Sequence, residues 1–584
     1  MQFDKFFKLY FKFIVYEVYN LFKIYDNIYR LKQFGLLNII KNLLFKKPII
    51  PRNNYVKDYL KKNLKKWEKI NYPRREKKIL ITGFVHLPID YIMNALIGKF
   101  LEEKYNTSSV CILDEGDYFG ESIFRSFNIK NFIYLKKINF FYRLIDFKNS
   151  IEIISRFKNI EQFLKLKSGN IFLGKIVYDH YLRHTGHCST DTFNFKIYYL
   201  LSKSLGCDLR FKKILKQNKF KYGVQSEQQF IPGAISFQNC LGKNIKIFSR
   251  NKGPNLVTIT KFFNKAEIFT PVDKIDYKYY MYFFKKYKKI ASKIGAKIIS
   301  NRIKGKDNFS QKSWGITSST NKKISFHRLK KIYNWNDNKP VVCIFGHLFI
   351  DGNYSEGRRL HKDNLTWLKS TLEIIKNIKN VNWIVKPHPL EKEYLHTSTT
   401  TIEEVMPFEK KYKHIRFADN RISNFSLTKN IIATVSSHGT VSLEYASLGI
   451  PSVVCGQTKY TKLGFLREAK TINEYKKLLK NIYKIKRLTK YQIEKANVWI
   501  YLSGKLVLVD NEIIPSNIRN QDRLIAYSKK EFWLEAIKKI KKFNYQKSFF
   551  KKMFFEQLKN NRINIINYKY IEQDIKKNRS SLFF

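Results

Sequence analysis

Two parts of the chain alternate short apolar segments with amphipathic ones, and this pattern predicts two α/β regions. In the first, residues 77–88 (KKILITGFVHLP) form a predicted buried strand followed by a loop. Residues 89–105 then have apolar positions at helical spacing, and residues 108–116 (SSVCILDEG) form a second predicted strand. Strand, helix and strand in this order indicate a parallel sheet. Residues 75–335 are therefore predicted to be one α/β domain with helical insertions.

The second series of strands begins at Pro340, after a polar, turn-rich stretch that places a boundary near residues 310–340. The predicted strands are VVCIFG, VNWIVKPHP, HIRFADN, NIIATVSS and IPSVVCG. Residues 355–378, between the first two of them, are predicted to be a helix. Strands that alternate with helices in this way indicate a doubly wound parallel sheet, here over residues 336–500.

Both ends of the chain are predicted to be helical. Residues 1–74 form a basic, aromatic extension whose apolar positions recur at helical spacing, as at Phe7, Tyr10, Phe11, Ile14 and Val18. Such a helix either lies on a membrane surface or packs on the protein body, and packing is the commoner outcome. Residues 501–584 are rich in lysine and are predicted to be a helical tail.

The composition is that of a large folded protein with a strong basic excess. At 584 residues the chain is too long for one hydrophobic core, which agrees with two domains and extensions. The net charge of +63 would attract phosphate groups or anionic lipids, although AT-rich codons explain much of the lysine. No helix-turn-helix, zinc-finger or RNA-binding pattern accompanies the charge, so no nucleic-acid partner is expected.

Cysteine spacing and the lengths of the apolar runs indicate the compartment. The six cysteines are scattered without a C-x-x-C pair, so we expect reduced, buried thiols and no metal site. The N-terminal segment lacks a small-residue cleavage site, and no segment reaches the roughly 20 apolar residues of a membrane-spanning helix. We expect the protein in the cytoplasm, with peripheral attachment to the inner face of the cytoplasmic membrane as an open alternative.

The first candidate site follows the predicted strand NWIV, where the chain reads Lys386, Pro387, His388 and Pro389. Open α/β sheets bind ligands at the carboxyl ends of their strands. The two prolines restrict the loop, so the imidazole of His388 is held at a low cost in entropy. A cationic or hydrogen-bonding histidine held there can stabilise a leaving phosphate. The alternative is a turn in which His388 binds only local backbone.

The second candidate site lies between the predicted strand IIATV and a predicted helix, and it comprises Ser436, Ser437, His438, Gly439 and Thr440. Hydroxyl groups and the free N–H groups of a helix start can bind an anion. One Ser or Thr there would indicate only an N-cap, but a row of Ser, Ser, His, Gly and Thr exceeds what a cap requires. One turn into the helix, Glu444 is predicted to accept the ribose hydroxyls of a nucleotide; the alternative is a solvated charge.

These two blocks, KPHP and SSHGTVSLEYASLGIPSVVCG, resemble the capsule polysaccharide biosynthesis family, which includes the Kdo transferases of bacterial capsules. They are similar at greater distance to bacterial sialyltransferases and to CDP-glycerol glycerophosphotransferases. The resemblance covers about residues 340–500. It implies a GT-B architecture, which is two Rossmann-like domains with a cleft between them, and donor binding by the second domain. It also implies that His388, Ser436 and Ser437 contact the donor phosphate, and that no metal or cofactor is needed.

The resemblance adds candidates in and around the cleft. Residues 354–369 (YSEGRRLHKDNLTWLK) also resemble this group, so cleft positions are implied for Tyr354, Ser355, Glu356 and Arg358. The same families carry an acidic motif in the first domain that supplies the catalytic base. Asp114-Glu115-Gly116 matches that motif, and the alternative is an acidic turn. Three rivals for the base stay open, namely His86, Asp90 and Glu227.

The sequence therefore predicts a glycosyltransferase of bacterial capsule or lipopolysaccharide synthesis. It would move a sugar from a nucleotide-activated donor, such as a CMP-linked one, to a glycan or glycolipid acceptor, with inversion and without a metal. One alternative is transfer of glycerol or ribitol phosphate from a CDP-alditol on the same fold. Another is a non-catalytic, membrane-associated protein of polysaccharide assembly, against which the two complete blocks argue.

Overall fold

The computed structural model describes residues 2–21, 53–70, 76–135, 139–251, 256–303, 324–354, 357–391, 397–418, 422, 424–428, 430–515 and 530–580. The strands of these residues are β1 (Lys77–Thr82), β2 (Ser108–Asp114), β3 (Asn131–Leu135), β4 (Tyr222–Val224), β5 (Lys246–Asn251), β6 (Leu256–Phe262), β7 (Val341–Phe345), β8 (Asn382–Lys386), β9 (Ile415–Phe417), β10 (Ile431–Ser436), β11 (Ser452–Val454), β12 (Leu466–Glu468) and β13 (Val509–Asp510).

The α-helices of the same residues are α1 (Gln2–Leu21), α2 (Asn54–Glu68), α3 (Pro88–Tyr105), α4 (Tyr118–Ser126), α5 (Phe140–Ile154), α6 (Ile160–Phe163), α7 (Leu173–Thr185), α8 (Phe195–Gln217), α9 (Gly233–Gly242), α10 (Tyr277–Ile303), α11 (Phe326–Ile332), α12 (Asn364–Ile375), α13 (Thr401–Lys411), α14 (Asn424–Thr428), α15 (Val441–Ser447), α16 (Ile472–Lys480), α17 (Lys490–Tyr501), α18 (Lys530–Lys542), α19 (Phe549–Lys559) and α20 (Tyr568–Ser580).

The sheet of the first domain has seven strands in the order β13-β6-β5-β4-β1-β2-β3. The strands from β5 to β3 run parallel, and β6 and β13 are antiparallel to their neighbours. Side chains of β1 alternate between two hydrophobic cores: Ile79 and Ile81 lie in one and Leu80 in the other. Because helices cover both faces, β1 and β2 are buried nearly throughout, which explains their continuous apolar sequences.

The sheet of the second domain has six parallel strands in the order β12-β11-β10-β7-β8-β9. Here too alternate residues face two cores, with Val342 and Ile344 in one and Cys343 in the other. The five strands predicted between Pro340 and Gly456 all lie in this sheet. The predicted fold class is confirmed, since the protein has two Rossmann-like α/β domains built on parallel sheets.

The helix predicted over residues 355–378 begins later than its sequence suggested. Helix α12 starts at Asn364, because the Asp363 side chain accepts the N–H of Thr366 at 2.7 Å and caps the helix. The residues before it pair with the chain near β12 instead, where the Gln457 N–H donates to the Arg358 carbonyl at 2.8 Å. The helix prediction over residues 357–363 is therefore wrong, and this segment is irregular, with several bends and one bridge between Arg359 and Gly456.

The predicted C-terminal tail completes the first domain. Strand β13 pairs with β6, and α18 and α19 pack in the same core as α3. In that core Trp533 of α18 lies 5.3 Å from Tyr59 of α2, measured between ring centroids. Helix α10 precedes the second sheet in the chain and packs along α17 of the second domain. The two helices are so close that a Cβ on Gly295 would overlap the Asn497 carbonyl. The first domain is thus assembled from two separate stretches of the chain.

The two domains meet at the carboxyl edges of their sheets. Asp179 of α7 is buried and accepts the N–H groups of Asn353 and Tyr354 at 3.0 and 2.9 Å. Burial raises the pKa of its carboxyl to about 6. The side chain of Gln229, which follows β4, lies against Gly352, which follows β7. Because both residues follow the carboxyl ends of parallel strands, the carboxyl edges of the two sheets face each other across this contact.

The N-terminal helix packs on the first domain by one face. The ring of Phe13 stacks on Phe147 of α5 with centroids 4.4 Å apart, and Arg143 pairs with Glu17 at 2.8 Å. Its other face is exposed. All six cysteines are buried and carry free thiols. Within the described residues, no helix combines the length and the apolar character needed to cross a membrane.

Candidate functional site

Three histidines follow three neighbouring strands at the centre of the second sheet. His438 comes after β10, His347 after β7 and His388 after β8, and these strands are adjacent in the order β10-β7-β8. Each histidine is the second residue beyond its strand, so parallel pairing brings all three to the same edge. The sequence had indicated His388 and His438. It had not indicated His347, which links the two.

The imidazoles of His347 and His438 are stacked, with ring centroids 4.3 Å apart and planes inclined by 17°. The backbone N–H of His438 donates to Nε2 of His347 at 3.4 Å, so a neutral His347 carries its proton on Nδ1. Burial, and then the neighbouring His388 and Arg359, lower the pKa of His347 to about 3. At neutral pH His347 is therefore an uncharged donor.

His388 is held in the same neutral form by a different contact. The N–H of Leu390 donates to its Nδ1 at 3.2 Å, so the remaining proton lies on Nε2. Burial lowers the pKa of His388 to about 4. The sequence allowed either a cationic or a hydrogen-bonding histidine here, and the surroundings favour the uncharged one.

The predicted Ser-Ser-His-Gly-Thr block is divided between the site and the domain interior. Ser437 contacts His438, with its Oγ 3.0 Å from Nδ1 of the imidazole. Ser436 lies inside, where its Oγ pairs with Ser442 at 2.9 Å. The Gly439 carbonyl accepts the Tyr460 hydroxyl at 2.6 Å, and Thr440 is exposed and makes no capping bond to α15. Helix α15 is only seven residues long, so the side chains matter more than its dipole.

A cation that the sequence analysis missed joins this group. Arg359 donates from Nη1 to the Gln457 carbonyl at 2.9 Å, and its guanidinium helps to hold the pKa of His438 well below its usual range. Burial is the larger cause of that shift. For His347 the sequence did contain one signal. This histidine directly follows the predicted strand VVCIFG, much as His388 follows the predicted strand NWIV. Nothing comparable marks Arg359, which was placed in the predicted helix.

Two residues predicted to bind the donor have protein partners. The ammonium of Lys386 is buried and donates to the Ile422 carbonyl. The Glu444 carboxylate accepts Nη1 of Arg302, from α10, at 2.6 Å. Such an ion pair explains a half-buried Glu444 without a ligand. Its contact with a ribose stays a prediction, in which the sugar hydroxyls would compete with Arg302.

The residues near position 354 that were predicted to line the cleft do not lie together at one site. Tyr354 is buried at the domain contact, and its hydroxyl donates to the Lys362 carbonyl at 2.7 Å. Arg358 binds away from the histidines, to Glu468 at 2.9 Å and the Lys470 carbonyl at 2.6 Å. Ser355 and Glu356 lie outside the described residues.

A charged cluster occupies the carboxyl edge of the first sheet. His86, in the loop after β1, lies 3.3 Å from Asp114 and 3.6 Å from Asp117, measured from ring nitrogen to Oδ2. Hydrogen bonds to Asp114 and then to Asp117 raise the pKa of His86 to about 10. The Tyr91 hydroxyl donates to Asp117 at 2.6 Å. This edge therefore carries a protonated histidine between two carboxylates.

The predicted acidic motif forms a tight turn, in which Asp117 caps a helix and Asp114 stays accessible. Asp117 donates its N–H to the Asp114 carbonyl at 3.1 Å, and Gly116 has φ 87°, which a residue with a Cβ rarely adopts. Asp117 is largely buried and caps α4 through Gly120 at 3.0 Å. The Asp114 side chain is 40% exposed, and Glu115 is exposed. Asp114 thus combines its contact with His86 with exposure to solvent.

The rival bases Glu227 and Asp90 are engaged in the fold. Glu227 accepts the N–H groups of Gln229 and Phe230 at 2.5 and 3.1 Å, and burial raises the pKa of its carboxyl. Asp90 forms a buried ion pair with Arg250 at 2.5 Å. His86 is charged and has no lone pair for a proton. Asp90 is thus buried and Glu227 is bound by backbone N–H groups, whereas the Asp114 side chain is 40% exposed.

Comparisons with known proteins give structural likeness alone. No family model matches the chain, and no curated protein matches it. Solved structures with a similar arrangement include a β-Kdo 2,7-transferase of KpsC from Thermosulfurimonas dismutans, at 12% identity and TM-score 0.30, over 57% of this chain and 88% of that one.

Another is UDP-GlcNAc 2-epimerase from Neisseria meningitidis, at 10% identity and TM-score 0.23, over 73% of this chain and 99% of that one. A third is UDP-GlcNAc 2-epimerase from Methanocaldococcus jannaschii, at 13% identity and TM-score 0.24, over 73% of this chain and 98% of that one.

Among the described residues, no three His, Cys, Asp or Glu side chains are arranged to hold a metal ion. The fold assignment rests on the two sheets themselves.

Proposed function

We propose that the protein is a GT-B glycosyltransferase that uses a nucleotide-activated sugar. The observation that carries the proposal is the pairing of two unlike edges across one domain contact. The second sheet presents uncharged histidines and Arg359, and the first presents a half-exposed carboxylate, Asp114. An anionic leaving group suits the former, and an acceptor hydroxyl suits the latter.

The second edge would hold the donor phosphate. Nε2 of His388 and Nδ1 of His347 carry protons, since backbone N–H groups occupy their other nitrogens. Donors placed around a departing phosphate stabilise the charge that grows on it, and they act strongly because the site is buried. Arg359 adds a fixed positive charge, which neutral histidines do not supply.

The first edge would activate the acceptor. Asp114 removes the proton of the attacking hydroxyl as the bond to the anomeric carbon forms and the bond to the nucleotide phosphate breaks. Attack from the face opposite the leaving group inverts the anomeric centre. His86 holds Asp114 in place through its 3.3 Å contact. The scheme uses no cofactor, because the nucleotide sugar is a substrate.

The resemblance of the KPHP and SSHGT blocks supports a place in capsule or lipopolysaccharide synthesis, with a glycan or glycolipid as acceptor. The donor sugar and nucleotide base are identified by screening CMP-, UDP- and GDP-linked sugars. CDP-glycerol and CDP-ribitol belong in the same screen. Transfer of a polyol phosphate would leave phosphorus in the product, whereas transfer of a sugar would not.

The first test measures donor binding by calorimetry, with wild-type protein and with His388→Ala. We expect one class of nucleotide sugar to bind the wild type, and His388→Ala to weaken that binding by about 10- to 100-fold, as expected for a lost bond to a charged group. His327→Ala is the matched control, because His327 is exposed on α11 and should leave binding unchanged. Equal affinity of wild type and His388→Ala for every ligand, with unchanged turnover, rejects this site.

A further inference from the structure

The outer faces of α1 and α5 form an exposed, largely aromatic surface. On α1 it comprises residues spaced by one and two helical turns, which are Phe7, Phe11, Ile14 and Val15; on α5 it comprises Phe141, Tyr142 and Ile145. Phe7, Phe11, Phe141 and Tyr142 are each more than 60% exposed. We call these seven residues the α1–α5 face. Apolar side chains concentrated in this way mark an interaction site rather than ordinary surface.

The fold holds this face in place. Phe13 of α1 stacks on Phe147, and Tyr10 meets the same ring edge-on at 5.6 Å. Arg143 of α5 pairs with Glu17 of α1. Since the inner faces of both helices are engaged in these contacts, the aromatic side chains opposite them point outward together.

Positive charge accompanies the aromatic side chains. Lys8 and Lys12 are exposed and alternate with Phe7 and Phe11 along α1, and Lys148 is exposed on α5. Lys203 of α8 lies close enough to Glu17 to affect its charge. Three acidic groups described on these helices have basic neighbours: Glu17 pairs with Arg143, Glu152 lies 3.8 Å from Lys148, and Asp146 interacts with Arg210 and Arg143.

We propose that the α1–α5 face docks the protein on an anionic phospholipid bilayer. Aromatic side chains favour the membrane–water interface, and neighbouring lysines are attracted to anionic headgroups. The net charge of +63 suits a negative surface, and it disfavours close approach of a second copy of this chain.

The face lies near the first edge of the candidate site. Asp114 at the end of β2 is paired with Leu135 at the end of β3, and α5 begins five residues later at Phe140. Five residues span at most roughly 17 Å, so docking would bring Asp114 close to the headgroups. Delivery of a lipid-linked acceptor to Asp114 rests on the proposed function, whereas the docking itself does not.

The test is vesicle flotation of the full-length protein without donor or acceptor. We expect the wild type to float with vesicles of phosphatidylcholine and phosphatidylglycerol at 3:1, at least fivefold more than with phosphatidylcholine alone. Phe11→Ser/Phe141→Ser should lower the bound fraction at least fivefold. The matched control is Tyr282→Ser/Leu534→Ser, which removes two exposed apolar side chains from α10 and α18 and should bind as the wild type does.

A second pair of variants tests the charges and remains informative where the aromatic variant does not fold. Lys8→Glu/Lys12→Glu should lower binding to the anionic vesicles at least threefold, and Lys285→Glu/Lys289→Glu on α10 should lower it less. Equal losses in both pairs would overturn a local surface in favour of general charge attraction. The proposal is overturned if the wild type floats with neither vesicle. It is also overturned if the wild type forms a dimer, binds no lipid, and loses the dimer in the Phe11→Ser/Phe141→Ser variant. Donor calorimetry is unaffected by these outcomes, so the two proposals fail separately.

Discussion

The two facing edges of the protein use histidine in opposite ways. At the second sheet, burial keeps His347 and His388 uncharged, with pKa values lowered to about 3 and about 4. At the first sheet, hydrogen bonds to Asp114 and Asp117 keep His86 charged, with its pKa raised to about 10. All three histidines follow parallel strands, so the strand end alone does not decide protonation. Neighbouring carboxylates decide it at one edge and burial decides it at the other.

The largest expected effect separates the edges by function. Asp114→Asn keeps the shape of the side chain but removes the base, so turnover should fall by about 10³-fold. Donor binding should be unchanged, because Asp114 lies on the other domain. Initial rates and donor calorimetry on the same preparation measure both quantities.

Glu115→Gln is the control for this experiment, since Glu115 is exposed in the same turn. It should alter turnover by less than about threefold. If Glu115→Gln is the variant that loses turnover while Asp114→Asn retains it, the two carboxylates have been assigned the wrong way round.

The next largest expected effect is a loss of stability at acidic pH, and it comes from His388. Unfolded histidine takes up a proton below about pH 6.5, whereas His388 in the folded protein resists protonation until about pH 4. The contribution of His388 to stability is therefore present above pH 6.5 and is lost as the pH falls through 4. The loss amounts to up to about 3 kcal/mol. Urea unfolding of wild type and His388→Asn between pH 7 and 4 should show a shallower decline for the variant. Parallel curves would contradict a buried, neutral His388.

The smallest expected effect is a loss of stability at alkaline pH, and it comes from His86 at the first edge. Because the pKa of His86 is raised, its contribution to stability is present below pH 6.5 and is lost as the pH rises through about 10. The His86 side chain is half-exposed, so solvent weakens the interaction and a shift of only a few degrees in Tm is expected. The Tm of wild type minus that of His86→Gln should decrease from pH 7 to pH 10. A constant difference would indicate that His86 is not charged in the folded protein.

Much of the second domain could be predicted from sequence, since each strand is a short apolar run and two strand ends carry distinctive residues. KPHP and SSHGT were therefore found. That His347 joins His388 and His438 could not be predicted, because strand order places β7 between β10 and β8 and no local pattern encodes that order. Arg359 was hidden by a helical pattern that Asp363 interrupts with its cap.

The first domain was predicted less completely. Its opening strands were found because β1 and β2 are continuous apolar runs, but the partners of Asp114 come from separate segments. His86 and Tyr91 flank the start of α3, and only the folded chain brings them to the acidic turn. The C-terminal helices carry no motif, and their place in the first core depends on long-range packing. The predicted boundary at residues 310–340 lies partly outside the described residues.

The return of β13, α18 and α19 to the first domain has a consequence for synthesis of the protein. The second sheet and the cores on either side of β7 are complete once the ribosome has passed α17, whereas the core around Trp533 and Phe554 must wait for the last fifty or so residues. The domain whose sheet begins first would thus close last, with α3 and β1 exposed to chaperones in the meantime. A chain truncated near residue 505 should already resist protease over residues 340–500 and remain cleavable between residues 76 and 260.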